Sequence, residues 1–351
     1  MGTGLSILSR ADVERREHEL LSPLAAFSDA SVGRLVPEQA DALRTCYQRD
    51  RDRIVHCKAF RRLSHKTQVF LAPEGDHYRT RLTHTLEVAQ IARSVAAPLR
   101  LNEDLTEAIA LGHDLGHTPF GHTGEGALSR AIARWRGLDP DGDEGRRLFR
   151  HNEQSARVMD LLEKDGRGLN LSREVVDGIV CHTGLQRAAT LEGRIVAVAD
   201  RVAYVTHDIQ DAERAGIICE AGLPRVVLER LGSSSSQRIA TMVADLVSTS
   251  ARRGDIAMSE PVWEAMMELR SWLFENVYTQ SDAKVEEPKA NGLVERLFMH
   301  YIGHLDEVPA EYRLHDSDAP EVQVADYISG MTDRYAIRDY ERLFLPRAWR
   351  R

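Results

Sequence analysis

Three histidines, an aspartate and a glutamate fall within thirteen residues: His113-Asp114-Leu115-Gly116-His117-Thr118-Pro119-Phe120-Gly121-His122-Thr123-Gly124-Glu125. Imidazoles and carboxylates bind divalent metals, and they also carry protons in acid-base chemistry. Further on, Ile195-Val196-Ala197-Val198-Ala199 leads straight into Asp200. A carboxylate at the end of so apolar a run is costly unless it is paired, for example with Arg201, or bound to a cation. His84 lies four residues before Val88 on an apolar stripe that continues through Ile91, Ala92, Val95 and Leu99. A lone histidine there is ordinarily a satisfied core residue. Together, His84, His113, Asp114 and Asp200 could share one metal ion. Neutral imidazoles with carboxylates suit Mn²⁺, Mg²⁺, Fe²⁺, Co²⁺, Ni²⁺ or Zn²⁺. With no thiolate in the set, a structural zinc site is disfavoured.

These residues need helices to hold them. Asn102 is an N-cap, and Leu105, Ala108, Ile109 and Gly112 form an inward stripe that His113 continues. That helix is expected to end near Gly116, because glycine suits a C-terminal cap and Pro119 cannot continue a helix. A further helix is expected from Gly126 to Arg134. Asp200, Tyr204 and Asp208 follow at i, i+4 and i+8, on one face of another helix. Other helices are expected over 38–64, from His151, after Ser172 (with Val175, Ile179 and His182 in line), and over 237–252, 260–278, 291–304 and 320–344. Gln68-Val69-Phe70-Leu71 is a short apolar run and Pro73–Asp76 a turn. Ser233–Ser236 and Ser281–Lys289 are expected linkers. Residues 136–147 form a loop whose alternating aspartates lack the glycine and terminal glutamate of a calcium loop. No strand alternation or repeat is visible, so the fold class is all-α. Residues 1–40 read as an arm of the kind that packs on a neighbouring subunit. Residues 41–232 form the core, and 233–351 a helical region completing the same globule.

The bulk properties narrow the partners. The 351 residues carry a net charge of −8, which argues against coating nucleic acid by bulk electrostatics. Within this acidic chain, Arg51 to Arg81 holds Arg51, Arg53, Lys58, Arg61, Arg62, Lys66, Arg79 and Arg81 against Asp52, Glu74 and Asp76. Such a local basic patch suits a polyphosphate ligand. Cys46, Cys57, Cys181 and Cys219 form no disulfide-like framework, and neither a secretory signal nor a membrane span is seen. A cytoplasmic location is the expectation. With no Gly-Lys dipeptide there is no P-loop.

The ordered strings Phe60-Arg61-Arg62-Leu63…Thr67-Gln68-Val69-Phe70, Arg81-Leu82-Thr83-His84-Thr85-Leu86-Glu87-Val88, His113 to His122, His151-Asn152-Glu153-Gln154-Ser155 and Asp200 to Asp208 closely resemble the bacterial dGTP triphosphohydrolase-like family of HD-domain phosphohydrolases. The resemblance covers about residues 50–215 and extends, more weakly, over Tyr327 to Tyr335. It implies an HD-domain helical bundle with additional C-terminal helices. It also implies the reaction dNTP + H₂O → deoxynucleoside + triphosphate, with dGTP or several dNTPs as substrate. A divalent ion held by His84, His113, Asp114 and Asp200 would then supply Lewis acidity at the α-phosphate. His122 matches the family's catalytic histidine, and Glu125 would orient it. His117, Arg81, Arg61 and Lys66 would hold phosphates. Tyr204 matches the residue packed on the sugar, Asp208 would bind the 3′-hydroxyl, and Gln68 matches a base or sugar contact. Oligomers, commonly hexamers or tetramers, and dNTP activators are further implications.

Two rivals remain at this stage. Another HD phosphohydrolase, such as a 5′-nucleotidase or cyclic-nucleotide phosphodiesterase, needs the metal but neither the His122–Glu125 pair nor the Tyr204–Asp208 face. A non-catalytic nucleotide sensor or single-stranded DNA binder would keep the scaffold without the chemistry.

Overall fold

The computed structural model describes residues 6–68, 79–219, 222–278, 285–315 and 317–346. Among these the regular elements are helical, and the only pairings of extended backbone are isolated bridges at Arg34–Ser172 and Thr67–Thr80. The all-α expectation holds. The chain divides into two compact units. The first comprises Met1–Cys57, Thr85–His113 and Leu169–Trp272, and the second Lys58–His84, Asp114–Gly168 and Leu273–Arg351.

In the first unit the helix Glu103–Gly112 packs on Cys46–His56, Arg173–Val180 and Leu191–Arg214, and the last of these also packs on Ser235–Arg253. Asn102 caps Glu103–Gly112 as expected, its side chain accepting the Leu105 N–H at 3.1 Å. Ile54, Leu105, Ile109, Ile179, Ile195 and Val202 are almost fully buried and form its interior. Each such side chain contributes roughly 1.5–3 kcal/mol through burial. The N-terminal arm is tied to this unit: Arg34 reaches the Asp50 carboxylate and the Asn170 carbonyl, and Glu174 accepts from Ser31 and Val32.

The second unit is centred on Gly121–Arg136 packed against Glu287–Gly303, which also meets Pro320–Ser329 and Asp333–Phe344. Leu128, Val294, Phe298, Tyr301, Val324 and Ile328 lie in its core.

Several boundaries differ from the periodicity reading. The stretch 38–64 yields the helix Cys46–His56 and the short helix Lys58–Arg62, the first starting late because of a capping box at Thr45 and Gln48. The stretch 320–344 is two helices broken at Gly330–Met331, with Thr332 capping the second. Ser234 is no linker residue: it caps Ser235–Arg253 through the Gln237 N–H. The Gln68–Leu71 run beyond Gln68, the Pro73–Asp76 turn and part of Ser281–Lys289 lie outside the described residues.

Candidate functional site

The helix Glu103–Gly112 stops four residues earlier than Gly116. Gly116 is required for a different reason: a Cβ there would lie 2.2 Å from the Ser155 backbone nitrogen, so the chain touches the His151–Arg157 helix at this point. Its N–H donates to Ser155 Oγ at 2.9 Å.

In the first unit, His113 is 1% exposed. Its Nδ1 donates to the Ala110 carbonyl at 2.7 Å. A carbonyl can only accept, so Nδ1 bears a proton, and in this tautomer of the neutral ring Nε2 keeps its lone pair. That Nε2 lies 3.8 Å from Asp200 Oδ1. His182, beyond the end of the Arg173–Val180 helix, packs edge-on against His113 with ring centroids 5.0 Å apart. Its own Nδ1 donates to the Ile179 carbonyl. Asp200, Tyr204 and Asp208 all lie on the helix Leu191–Arg214, whose N-cap Thr190 accepts the Gly193 N–H. Asp208 is buried, and burial, eased by Arg270, pushes the half-buried Tyr204 phenol upward.

In the second unit, His84 and Asp114 are 2% and 3% exposed and offer ligand atoms within 4.8 Å of each other. Arg81 sits beside them, its Nη1 donating to Asp114 Oδ2 at 2.7 Å. Arg81, expected on phosphate, is thus also a charge partner of a candidate ligand. Lys66, likewise expected on phosphate, is buried instead. Its ammonium donates to the Ser329 carbonyl at 2.7 Å and to the His117 carbonyl. Burial, with Arg62 nearby, pushes its pKa well below the usual lysine range. Arg61 is exposed. Gln68 Oε1 is buried and accepts no hydrogen bond among the described residues.

The helix expected from Gly126 begins at Gly121, so His122 and Glu125 stand one turn apart at its start. His122 is exposed, and its Nδ1 meets Glu125 Oε2 at 3.0 Å. His151, part of the string His151-Asn152-Glu153-Gln154-Ser155, completes the group. Its backbone N–H donates to Glu125 Oε1, and its Nδ1 lies 3.0 Å from Oε2. His117 stacks on His151 at 4.0 Å and meets the His122 ring edge-on at 5.0 Å. Burial opposes ionisation of Glu125, but His151 and His122 outweigh it and hold this carboxyl far below its ordinary range. Burial likewise opposes the charge on His151, yet Glu125 raises its pKa. His117 is pushed the other way, first by burial and then by Arg81 and His151, which disfavours its charged form.

Residues 81–205 match the HD domain, and residues 256–342 match the phosphohydrolase-associated domain. A deoxyguanosinetriphosphate triphosphohydrolase-like protein of Caldanaerobacter subterraneus subsp. tengcongensis is 52% identical over 97% of both chains. Proteins of the same description from Desulfatibacillum aliphaticivorans and Clostridium perfringens are 45% and 44% identical, each over 96% of this chain and 98% of theirs. This chain belongs to the deoxyguanosinetriphosphate triphosphohydrolase-like family.

The family is one of HD-domain phosphohydrolases; in this member His84, His113 and Asp114 are buried, while the Asp200 side chain is 20% exposed. The donor set fits a divalent metal: neutral imidazole nitrogen, its tautomer fixed at His113 by a backbone carbonyl, together with carboxylate oxygen. No described helix is long and apolar enough to cross a membrane.

Proposed function

We propose that this chain is a metal-dependent deoxynucleoside triphosphate triphosphohydrolase that converts a dNTP and water to the deoxynucleoside and intact triphosphate. The observation that carries the reading is the His122–Glu125–His151 group: an exposed imidazole anchored through Nδ1 to a half-buried carboxylate held far below its ordinary pKa range. That anchoring leaves His122 Nε2 as the proton-carrying atom. Glu125 can hold His122 in one orientation only if its own charge is fixed, and His151 fixes it with a backbone and a ring donor.

In this reaction the water oxygen bonds to the α-phosphorus and the bond from phosphorus to O5′ breaks. The leaving O5′ takes a proton from His122, whose imidazolium Glu125 stabilises, while the attacking water loses a proton to solvent, which in turn reprotonates His122. His84, His113, Asp114 and Asp200 would hold a divalent ion, which would supply Lewis acidity at the phosphate. Arg81, His117 and Arg61 serve the phosphates. Tyr204 packs on the deoxyribose, Asp208 accepts from the 3′-hydroxyl, and Gln68 contacts base or sugar. Lys66 acts on the backbone of His117 rather than on substrate. Self-association into a hexamer or tetramer accompanies this reading.

Product analysis tests it. Purified protein with Mn²⁺ or Mg²⁺ is given each of the four dNTPs, singly and mixed, and products are separated by anion exchange. Triphosphate and deoxynucleoside in equal amounts are expected. Release of orthophosphate or pyrophosphate instead would overturn the reaction, and no turnover under any mixture would favour a sensor.

A further inference from the structure

We infer that Asp333 is a positioning residue for the catalytic turn, an inference that rests on the role given above to His122. Asp333 opens the helix Asp333–Phe344 and is 4% exposed. Its Oδ1 accepts the Phe120 N–H at 3.0 Å. Its Oδ2 accepts the Thr67 N–H at 2.9 Å and the Thr67 hydroxyl. One carboxylate therefore takes three donors from two segments that lie 213 and 266 residues away in sequence.

Both segments lead directly to candidate site residues. Phe120 is the residue before the Gly121–Arg136 helix, two positions from His122. It is a non-glycine residue in the left-handed region, at φ 63° and ψ 23°, and makes no side-chain cap for that helix. Such a conformation persists only where its surroundings fix it. Gly121 continues the left-handed turn at φ +57°, and a Cβ there would lie 2.8 Å from Arg81 Nη2. Thr67 pairs with Thr80, Lys66 O accepts the Arg81 N–H, and Gln68 follows. A second tie runs parallel, since Lys66 joins the Ser329 and His117 carbonyls. The C-terminal Ser329–Asp333 segment thus grips the turn at both ends, His117 and Phe120. All three donors on Asp333 come from the chain itself, so Asp333 acts through the turn and touches no substrate.

The test compares Asp333→Ala, Asp333→Asn and Thr67→Val with the parent. Asparagine keeps the shape but turns one side of the group into a donor facing the Thr67 N–H. Thr67→Val removes one donor and leaves the carboxylate in place. A 1 Å misplacement of a reacting group costs on the order of 10²-fold in rate. A kcat loss of that order is expected for Asp333→Ala, a smaller one for Asp333→Asn and the least for Thr67→Val, each with KM and bound metal near those of the parent. Hydrogen exchange at the Thr67 and Phe120 amides should quicken in the same order. Parent kcat in both Asp333 variants with only a lowered melting temperature, or unchanged amide protection, would overturn the inference. Turnover is read on dGTP and also on bis(p-nitrophenyl) phosphate. A parent that cleaves the diester but releases no triphosphate sinks the dNTP reading alone, and amide protection decides on Asp333 without any substrate.

Discussion

Two groups of histidines on this chain meet opposite fates. In the first unit, His113 and His182 are buried, and each gives Nδ1–H to the carbonyl three residues before it. That contact spends the only proton of a neutral ring and leaves Nε2 basic, which is what a metal needs. In the second unit, His151 is also buried but faces Glu125, whose carboxylate raises its pKa against the effect of burial. His122 shares the same carboxylate while its ring stands in the open. The partner, more than the depth of burial, separates the two kinds of buried ring, His113 and His182 on carbonyls and His151 on a carboxylate. A carbonyl partner selects a tautomer; a carboxylate partner selects a charge.

Asp200→Ala breaks the first group hardest. The variant should lose bound metal to background by elemental analysis, and all turnover with it. Stoichiometric metal in that variant would remove Asp200 from the ligand set. His122→Ala strikes the second group alone. Metal content should stay at the parent level while the rate falls roughly 10²–10⁴-fold, the usual contribution of a general acid or base. Near-parent turnover would take His122 out of the chemistry and dissolve the contrast between the two groups.

Glu125→Gln is subtler. It removes the charge that raises His151, so the His151 ring should titrate at lower pH by NMR than in the parent. Turnover should fall roughly 10- to 100-fold, as for other groups that orient a functional side chain. The stability consequence has a definite sign. Glu125 is depressed below its ordinary 4.5, so its contribution is present above that pH and is lost as pH falls through its folded value. His151 is raised above its ordinary 6.5, so its contribution is full below that pH and is lost as pH rises through its folded value. The pair therefore stabilises fully between pH 4.5 and 6.5. The melting-temperature advantage of the parent over Glu125→Gln should be greatest in that window. An advantage that does not vary with pH would mean that the two groups are not ionised together.

What the sequence discloses follows the range of the forces involved. Helical periodicity put His84 and His113 on buried stripes and Asp200, Tyr204 and Asp208 on one helix, and the fold agrees because each placement depends on neighbours within two turns. The pairing of His122 with Glu125 was equally local, at i, i+3. Lys66 was the opposite case. Its basic charge pointed to phosphate, but a carbonyl 263 residues away holds its ammonium, and no local pattern reports such a partner. The contacts of His151 and Asp333 escaped for the same reason: each side chain meets a helix start or loop distant in sequence. Gly116 looked like a helix cap, yet its missing Cβ serves a helix contact that only the folded chain reveals.

The smallest expected effect is the control for all of these. Thr190 caps the Leu191–Arg214 helix by accepting the Gly193 N–H at 3.1 Å, ten residues before Asp200. Thr190→Ala should cost about 1 kcal/mol of stability, the usual worth of an N-cap. For a domain of ordinary size that corresponds to a fall of about 2–4 °C in melting temperature. The rest of the helix remains seated by Ile195, Val196, Ala199 and Val202, all buried, so Asp200 should not move. Metal content and kcat at a temperature well below the melt should therefore match the parent. If kcat drops while metal is retained, the helix passes small shifts at its start on to Asp200, Tyr204 and Asp208. The first group would then depend on fine positioning as much as is inferred for the turn at Phe120, and the contrast between the candidate ligand set and that turn would narrow to one of degree.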